Sequence, residues 1–221
     1  METQKLPTLE DLESELDGLE GKRILVRSDL NVPITDGSID DDLRIQGSLT
    51  TLEWLVERKA SVVVCSHLGR PSDQKDDKYS IQPVKAKLLE TLSNLEVLEY
   101  FRFNPGEKAN EKSFVDYLVS GAGGESFDAY VNDAFGASHR AHASIVAVTN
   151  HLPPYVGLQM ERELSMLSAA LNQPERPLAA IMGGAKIGDK IDVLHSLVQK
   201  VDKLFIGGGM ASTFFKAQGF E

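Results

Sequence analysis

The feature that most constrains the fold is the alternation of short β-branched runs with longer segments of helical periodicity. Residues 23–27 and 61–66 have the length and composition of buried strands. Between them lie apolar residues at helical spacing: Ile45, Leu49, Leu52 and Val56. Such alternation predicts βαβ units, a mostly parallel sheet and helices on both faces of that sheet.

The same alternation continues to the end of the chain. Further strands are predicted at residues 96–101, 129–132, 178–182 and 203–206. Further helices are predicted at residues 111–119, 160–171 and 210–217. Two more are predicted from apolar residues at helical spacing: Val84, Leu88, Leu92 and Leu95, and Ile187, Ile191, Leu194, Val198 and Val201. We therefore expect an α/β protein, with a Rossmann-like βαβ lobe followed by the start of a second α/β lobe.

Proline pairs divide the chain into two series of elements. Pro153 and Pro154 precede the predicted helix 160–171, and Pro174 and Pro177 follow it. We expect a first lobe at 1–158, an interdomain helix and linker at 159–174, and the beginning of a second lobe at 175–221. Two strands rarely make a stable domain alone, so the second lobe is expected to be truncated in this chain.

Charge and composition exclude several classes of function. The chain has 33 Asp and Glu against 23 Lys and Arg, and the acidic excess lies in the first 158 residues. A strongly negative surface argues against a nucleic-acid partner. No apolar run has the length of a membrane helix, and the acidic N-terminus does not resemble a secretory signal. With Cys65 as the single cysteine, we expect a cytoplasmic protein without a membrane partner.

Residues suited to anion binding follow four of the predicted strands, and Arg44 adds a cation at the start of the first helix. They are Arg27, Asp29 and Asn31; His67 and Arg70; Arg102 and Asn104; and Asn132, Asp133, His139, Arg140 and His142. Ligands of open α/β sheets bind at the carboxyl ends of strands, and guanidinium groups bind phosphate or carboxylate. Solvated surface arginines and turn-forming Asp and Asn remain alternatives. The spacing of His139 and His142 hints at a metal, but no companion ligand set accompanies them.

Two glycine-rich turns follow the last two predicted strands. Residues 183–190 read GGAKIGDK, and residues 207–209 are three glycines. Backbone amides at such helix starts bind phosphate. Neither turn is a Walker A loop or a dinucleotide fingerprint, because Asp189 and Ser212 stand at positions that those motifs assign to Lys and Gly. A tight turn without a ligand remains an open alternative.

Six segments, in chain order, closely resemble phosphoglycerate kinase. They are RSDLNVP, SHLGRP, RFNPGEK, NDAFGASHRAHAS, GGAKIGDKID and GGGMASTF. The resemblance implies reversible phosphoryl transfer from 1,3-bisphosphoglycerate to Mg-ADP, which gives 3-phosphoglycerate and ATP in glycolysis. It further implies a first lobe that binds phosphoglycerate, a second lobe that binds ATP or ADP, and closure of the two lobes by a hinge. We expect the protein to be a monomer.

The resemblance also implies roles for individual positions. The substrate positions are Asp29, Leu30, Asn31, Arg44, His67, Leu68, Gly69, Arg70, Arg102 and Arg140. Leu30 stands where many members have Phe. The nucleotide positions are Gly183, Lys186, Lys190, Gly207 and Gly208. Arg44 and Lys186 match the catalytic pair that stabilises the transferring phosphoryl group.

The chain departs from the family pattern in length. The family's glycine-rich loop for magnesium and its carboxylate for the ribose do not follow Glu221, so no metal ligand is expected here. The alternative is therefore a non-catalytic phosphoglycerate-binding fragment. A second alternative, a Rossmann-type oxidoreductase, lacks the third glycine of its fingerprint and an acidic residue after a matching second strand.

Overall fold

The computed structural model describes residues 6–69, 77–99, 103–120, 124–172, 174–185 and 188–220. The chain divides into two compact units, Met1–Glu163 and Leu164–Glu221. This division falls inside the helix Leu158–Asn172, which is predicted from the sequence to be a separate connecting element. The three-part division at residues 158 and 174 stays a prediction. Within the described ranges, no helix is both long and apolar enough to span a membrane.

The elements are numbered in chain order. The strands are β1 Arg23–Ser28, β2 Ile34–Thr35, β3 Ser38–Ile39, β4 Ser61–Cys65, β5 Leu95–Val97, β6 Ala129–Asp133, β7 Pro154–Val156, β8 Ala179–Gly183 and β9 Lys203–Gly207. The helices are α1 Leu9–Glu15, α2 Leu43–Glu57, α3 Gln82–Thr91, α4 Pro105–Ala109, α5 Lys112–Val119, α6 Leu158–Asn172, α7 Ile191–Val198 and α8 Gly209–Ala217.

A five-stranded sheet in the order β5-β4-β1-β6-β7 organises the first unit. All four strand pairs are parallel. Successive side chains of β1 point to opposite faces: Ile24 and Val26 pack with buried leucines of α1, α2 and α3, whereas Leu25 packs with Phe114 and Val115 of α5. Helices therefore cover both faces of a parallel sheet, and the predicted fold class is confirmed.

Strand β7 is not predicted from the sequence, because it begins at a proline. Pro154 pairs with Tyr130 of β6 at the edge of the sheet. Proline lacks a donor and is confined to such edge positions within sheets. The amide of Val156 donates to the carbonyl of Pro7, so the chain ahead of α1 covers part of this edge.

The helix predicted over the stripe Val84, Leu88, Leu92 and Leu95 is shorter than that stripe. Helix α3 ends at Thr91, and Leu95 begins β5 after a turn at Ser93 and Asn94. The inclusion of Leu95 in a helix was therefore wrong. The strand predicted at 96–101 is found at Leu95–Val97, and residues 100–102 lie outside the described residues. Ser93 and Asn94 favour a turn, so the helix ends there although the helical spacing of apolar residues extends to Leu95.

The second unit contains the parallel pair β8 and β9, with Gly183 opposite Gly207. Helix α7 begins at Ile191, after a 3-10 turn over Gly188–Lys190, and ends at Val198. The expected continuation of this helix to Val201 was wrong, because a turn precedes β9; Ile187 lies outside the described residues. Several large apolar side chains of this unit are exposed: Ile181, Ile191, Val193, Val198, Phe205, Phe214, Phe215 and Phe220.

Candidate functional site

The first unit has one topological switch point, between β1 and β6. From β1 the chain builds β4 and β5 on one side and then crosses to build β6 and β7 on the other. Loops leaving the carboxyl ends of β1 and β6 diverge there, which leaves a crevice suited to a ligand. Asp29 follows β1, and Asp133 ends β6.

A cavity of about 310 Å³ occupies this position. Its lining combines the end of β1, the first turns of α2, the loop after β6 and the start of α6. The lining residues are Asp29, Leu43, Arg44, Gly47, Ser48, Asp133, Phe135, Gly136, Gln159 and Glu163. Gly136 is needed for this closeness, because a Cβ atom there would lie 2.7 Å from Asp29 Oδ2.

Arg44 and Asp29 supply opposite charges to this cavity. Nη1 of Arg44 donates to Oδ1 and Oδ2 of Asp29 at 2.9 and 3.1 Å. About half of the Arg44 side chain is exposed, and its Nε and Nη2 atoms donate to no described residue. The pair therefore fixes the guanidinium while leaving further donors for an anion such as phosphate.

The loop after β4 is tied to the loop after β1. Oδ1 of Asn31 accepts from the amide of Gly69 at 2.7 Å, and the amide of Leu30 donates to Oγ of Ser66 at 3.0 Å. The side chains of Leu30 and Leu68 are buried in the core. Leu30, Leu68 and Gly69 can therefore serve a ligand only through backbone atoms, whereas Asn31 orients the neighbouring loop.

His67 lies at the carboxyl end of β4 and contacts a residue that the resemblance did not assign. Its Nδ1 atom is 3.0 Å from Nη2 of Arg27, which is fully buried. Nε of Arg27 donates to Oγ of Ser144 at 3.1 Å, and Ser144 is bound to the carboxylate of Glu107. The sequence placed Arg27 in an anion-binding motif, but periodicity gives no signal for its partners Ser144 and Glu107.

The other predicted substrate residues are not gathered around the cavity. Arg140 follows the 3-10 turn Phe135–Ala137 and approaches Nε2 of His139 at 3.4 Å, and it does not line the cavity. Arg70 and Arg102 lie outside the described residues. The structure thus brings Asp29 and Arg44 together and leaves the remaining substrate assignments as predictions.

Asp133 is a buried carboxyl at the boundary of the cavity. Its Oδ1 atom accepts from the amide of Met160, in the first turn of α6, at 3.1 Å. Burial raises the pKa of Asp133 to about 6, and hydrogen bonds from the amides of Met160 and Gln159 and from Thr51 oppose that rise. Asp133 therefore links the end of β6 to the helix that follows β7.

In the second unit, four predicted nucleotide residues lie at the carboxyl ends of β8 and β9. Nζ of Lys190 donates to the carbonyl of Gly183 at 2.8 Å. Gly208 has φ +63°, and a Cβ atom there would lie 3.4 Å from both the amide nitrogen and the carbonyl oxygen of Gly184. Gly207 pairs with Gly183 across the two strands. Side chains are thereby kept away from this turn, while Lys186 lies outside the described residues.

Among the residues that the structure describes, no three His, Cys, Asp or Glu side chains are grouped to hold a metal ion. The described residues therefore do not by themselves fit a magnesium site.

Comparisons with known proteins agree on one family. The family model described as phosphoglycerate kinase matches residues 13–98 and 93–221. A phosphoglycerate kinase of Thermomicrobium roseum is 42% identical over 97% of this chain and 58% of its own length. One from Prochlorococcus marinus is 46% identical over 92% of this chain and 56% of its own length.

Solved structures give the same result. The phosphoglycerate kinase structure from Coxiella burnetii matches with a TM-score of 0.84 and 34% identity, and it covers 98% of this chain and 58% of that protein. The structure from Pyrococcus horikoshii OT3 matches with a TM-score of 0.83 and 27% identity. The chain thus spans somewhat more than half the length of the relatives that it matches.

Proposed function

Because the chain belongs to the phosphoglycerate kinase family, we propose that it acts in reversible phosphoryl transfer between 1,3-bisphosphoglycerate and ADP, giving 3-phosphoglycerate and ATP. The observation that carries the proposal is the Arg44–Asp29 pair in the cavity at the switch point of the sheet. Family membership favours this reaction over the nicotinamide chemistry considered from the sequence.

We assign the phosphoglycerate site to the first unit. Arg44 offers guanidinium donors beside Asp29, and Asn31 fixes the loop that carries Gly69. His67 follows the neighbouring strand. Arg70, Arg102 and Arg140 complete the proposed set on the strength of the family motif alone. A site with several guanidinium groups binds phosphate and carboxylate groups of one small anion at once.

We assign the nucleotide site to the second unit. Glycines at the ends of β8 and β9 leave room for a nucleotide to approach the backbone. Lys190 brings a positive charge to the same turn, where it can pair with nucleotide phosphates. Lys186 is the proposed companion of Arg44 at the transferring phosphoryl group.

The proposed chemistry is direct in-line transfer without a covalent enzyme intermediate. Charge in the transition state spreads over the equatorial oxygens of the transferring group, so placed cations supply most of the catalysis. Arg44 orients and stabilises that group, and its own position is set by Asp29. Magnesium neutralises nucleotide phosphates in reactions of this kind.

The assignment is tested by calorimetry and by a coupled ATP-forming assay on the 221-residue chain. We expect 3-phosphoglycerate to bind the wild-type chain and Arg140→Ala to bind it more weakly. Equal heats for the two proteins would remove Arg140 from the site, and an absence of binding to the wild type would refute the proposed site. Binding without ATP formation would identify a phosphoglycerate-binding fragment instead of an active kinase.

We further propose that the protein works as a monomer in the cytoplasm, with Mg-ADP or Mg-ATP and phosphoglycerates as its small-molecule partners. Its net charge of −10 disfavours nucleic acid as a partner. Light scattering after gel filtration tests the monomer, because a dimer would double the measured mass.

A further inference from the structure

Arg27 is the largest fully buried side chain among the described residues. Burying a guanidinium is costly unless its charge and its donors are satisfied. Nη1 donates to the carbonyl of Ser28 at 2.7 Å, Nε donates to Oγ of Ser144 at 3.1 Å, and Nη2 lies 3.0 Å from Nδ1 of His67. Each nitrogen of the guanidinium therefore has a partner, and one partner is a residue of the proposed substrate site.

A buried carboxylate balances this charge through Ser144. Glu107 is fully buried, and its two oxygens accept from the hydroxyl and from the amide of Ser144 at 2.6 and 2.9 Å. The hydroxyl of Ser144 thus accepts from Arg27 and donates to Glu107. Ser144 and His67 therefore contact neighbouring nitrogens, Nε and Nη2, of the same guanidinium.

The contact with His67 defines where the imidazole carries its proton. An arginine side chain has five donors and no acceptor, so Nδ1 of His67 must accept the hydrogen bond from Arg27. In the neutral ring the proton then resides on Nε2. The two ring nitrogens lie on different edges, so the Nε2–H bond points away from Arg27.

We propose that Arg27 is a positioning residue that holds His67 in the Nε2–H tautomer, so that His67 meets the phosphoglycerate anion as a hydrogen-bond donor. The identity of the anion rests on the proposed function. Without Arg27 both tautomers become accessible, and one of them turns a lone pair of Nε2 toward the anion. Arg27 therefore acts on ligand binding through His67.

Long-range ¹H–¹⁵N spectra of the ¹⁵N-histidine-labelled chain test the tautomer directly. We expect His67, identified by its loss in His67→Gln, to carry its proton on Nε2 in the wild type. Arg27→Met should shift His67 toward a mixture of tautomers. Arg23→Met is the matched control, because Arg23 lies at the other end of β1 and pairs with Glu96.

Arg27→Met removes the guanidinium that is linked to Glu107 through Ser144, so the double variant Arg27→Met/Glu107→Gln is measured beside it. A wild-type His67 protonated on Nδ1 would overturn the proposal, whether or not the variants fold. An unchanged His67 tautomer in either folded variant lacking Arg27 would also overturn it, because a purely structural arginine would leave that signature unaltered.

Calorimetry with 3-phosphoglycerate tests the consequence for binding. The amide of Gln can replace Nε2–H, whereas the amide of Asn reaches only the position of Nδ1. We expect His67→Gln to retain most of the affinity and His67→Asn to lose about 10-fold or more, the usual effect of one hydrogen bond to a charged group. Equal losses in both variants would contradict the donor role. Failure of the wild type to bind would refute the proposed function, while the spectra would still decide the tautomer.

Discussion

Arg44 donates to both carboxylate oxygens of Asp29 through a single atom, Nη1, at 2.9 and 3.1 Å. The two residues are 15 positions apart in the chain, and the β2–β3 hairpin lies between them. Their meeting places a half-exposed guanidinium over the carboxyl end of the central strand. The pair orients Arg44 more than it stabilises the fold, because exposed ion pairs contribute only about 0–1 kcal/mol.

Replacing Arg44 by Ala should therefore affect the proposed phosphoryl transfer far more than folding. We expect kcat to fall by about 10³ or more, as for arginines that stabilise a transferring phosphoryl group, with a smaller change in KM. The free energy of unfolding should fall by no more than about 1 kcal/mol. The coupled assay and urea unfolding measure the two effects.

Arg58→Ala is the control for loss of an arginine from the same helix. Arg58 lies at the opposite end of α2, where it pairs with Glu13 and stacks on Trp54. Its removal should leave kcat unchanged. If Arg44→Ala raises KM at constant kcat, Arg44 serves ground-state binding and not the transition state.

Asp133→Asn should change how stability depends on pH. The pKa of Asp133 is raised by burial to about 6, above the 3.8 of an exposed Asp. The native state thus holds this proton more tightly than the unfolded state, so the contribution of Asp133 to stability is fully present below pH 3.8 and is lost as pH rises through 6. The free energy of unfolding of Asp133→Asn, relative to wild type, should therefore rise by about 2–3 kcal/mol between pH 3.8 and 7.

Urea unfolding at several pH values measures this difference. Asp36→Asn, which removes an exposed carboxyl from the β2–β3 turn, is the control for loss of a negative charge elsewhere. A difference between Asp133→Asn and wild type that stays constant from pH 4 to 7 would show that Asp133 does not titrate in this window.

Gly208→Ala should disturb the turn between β9 and α8, where the nucleotide site is proposed. Gly208 has φ +63° and ψ −156°, a region that is essentially restricted to glycine and that costs other residues about 1–3 kcal/mol. We expect faster hydrogen exchange in β8 and β9 and weaker ADP binding by calorimetry. Gly188→Ala is the matched control, because a Cβ atom at Gly188 meets nothing within 4 Å. Equal effects of the two substitutions would argue against a special role for Gly208.

Cys65 should be inert in the native protein. Its thiol is fully buried in β4, and burial raises its pKa to about 12. The reactive thiolate is therefore scarce at pH 8, and alkylation requires the first unit to open. Mass spectrometry after iodoacetamide treatment should show slow labelling in buffer and complete labelling in denaturant. Rapid labelling in buffer would mean that β4 is exposed more often than its burial indicates.

Local patterns predicted some elements well and missed others for identifiable reasons. The stripe from Ile45 to Val56 was found as α2, because one continuous apolar face packs on the sheet. Helix α1 and the β2–β3 hairpin were not predicted, because each is too short to show a clear period. Helix α4 was also missed, although Asn104 caps it and Pro105 begins it.

For the candidate site, the sequence by itself determined the residue types and the loops that carry them. Alternating strand and helix patterns require a parallel sheet, and a parallel sheet collects the loops after its strands at one edge. That argument places Asp29, Asn31 and His67 at the same edge without any coordinates.

Only the tertiary structure decided which of these residues meet. Arg27 contacts His67 across 40 positions and Ser144 across 117 positions. Those contacts depend on the order β4-β1-β6, which sets β4 and β6 on either side of β1. The spacing of apolar residues indicates which face of a helix or strand is buried, but the order of the strands is fixed by packing between distant segments. The buried network behind His67 is therefore a property of the assembled sheet.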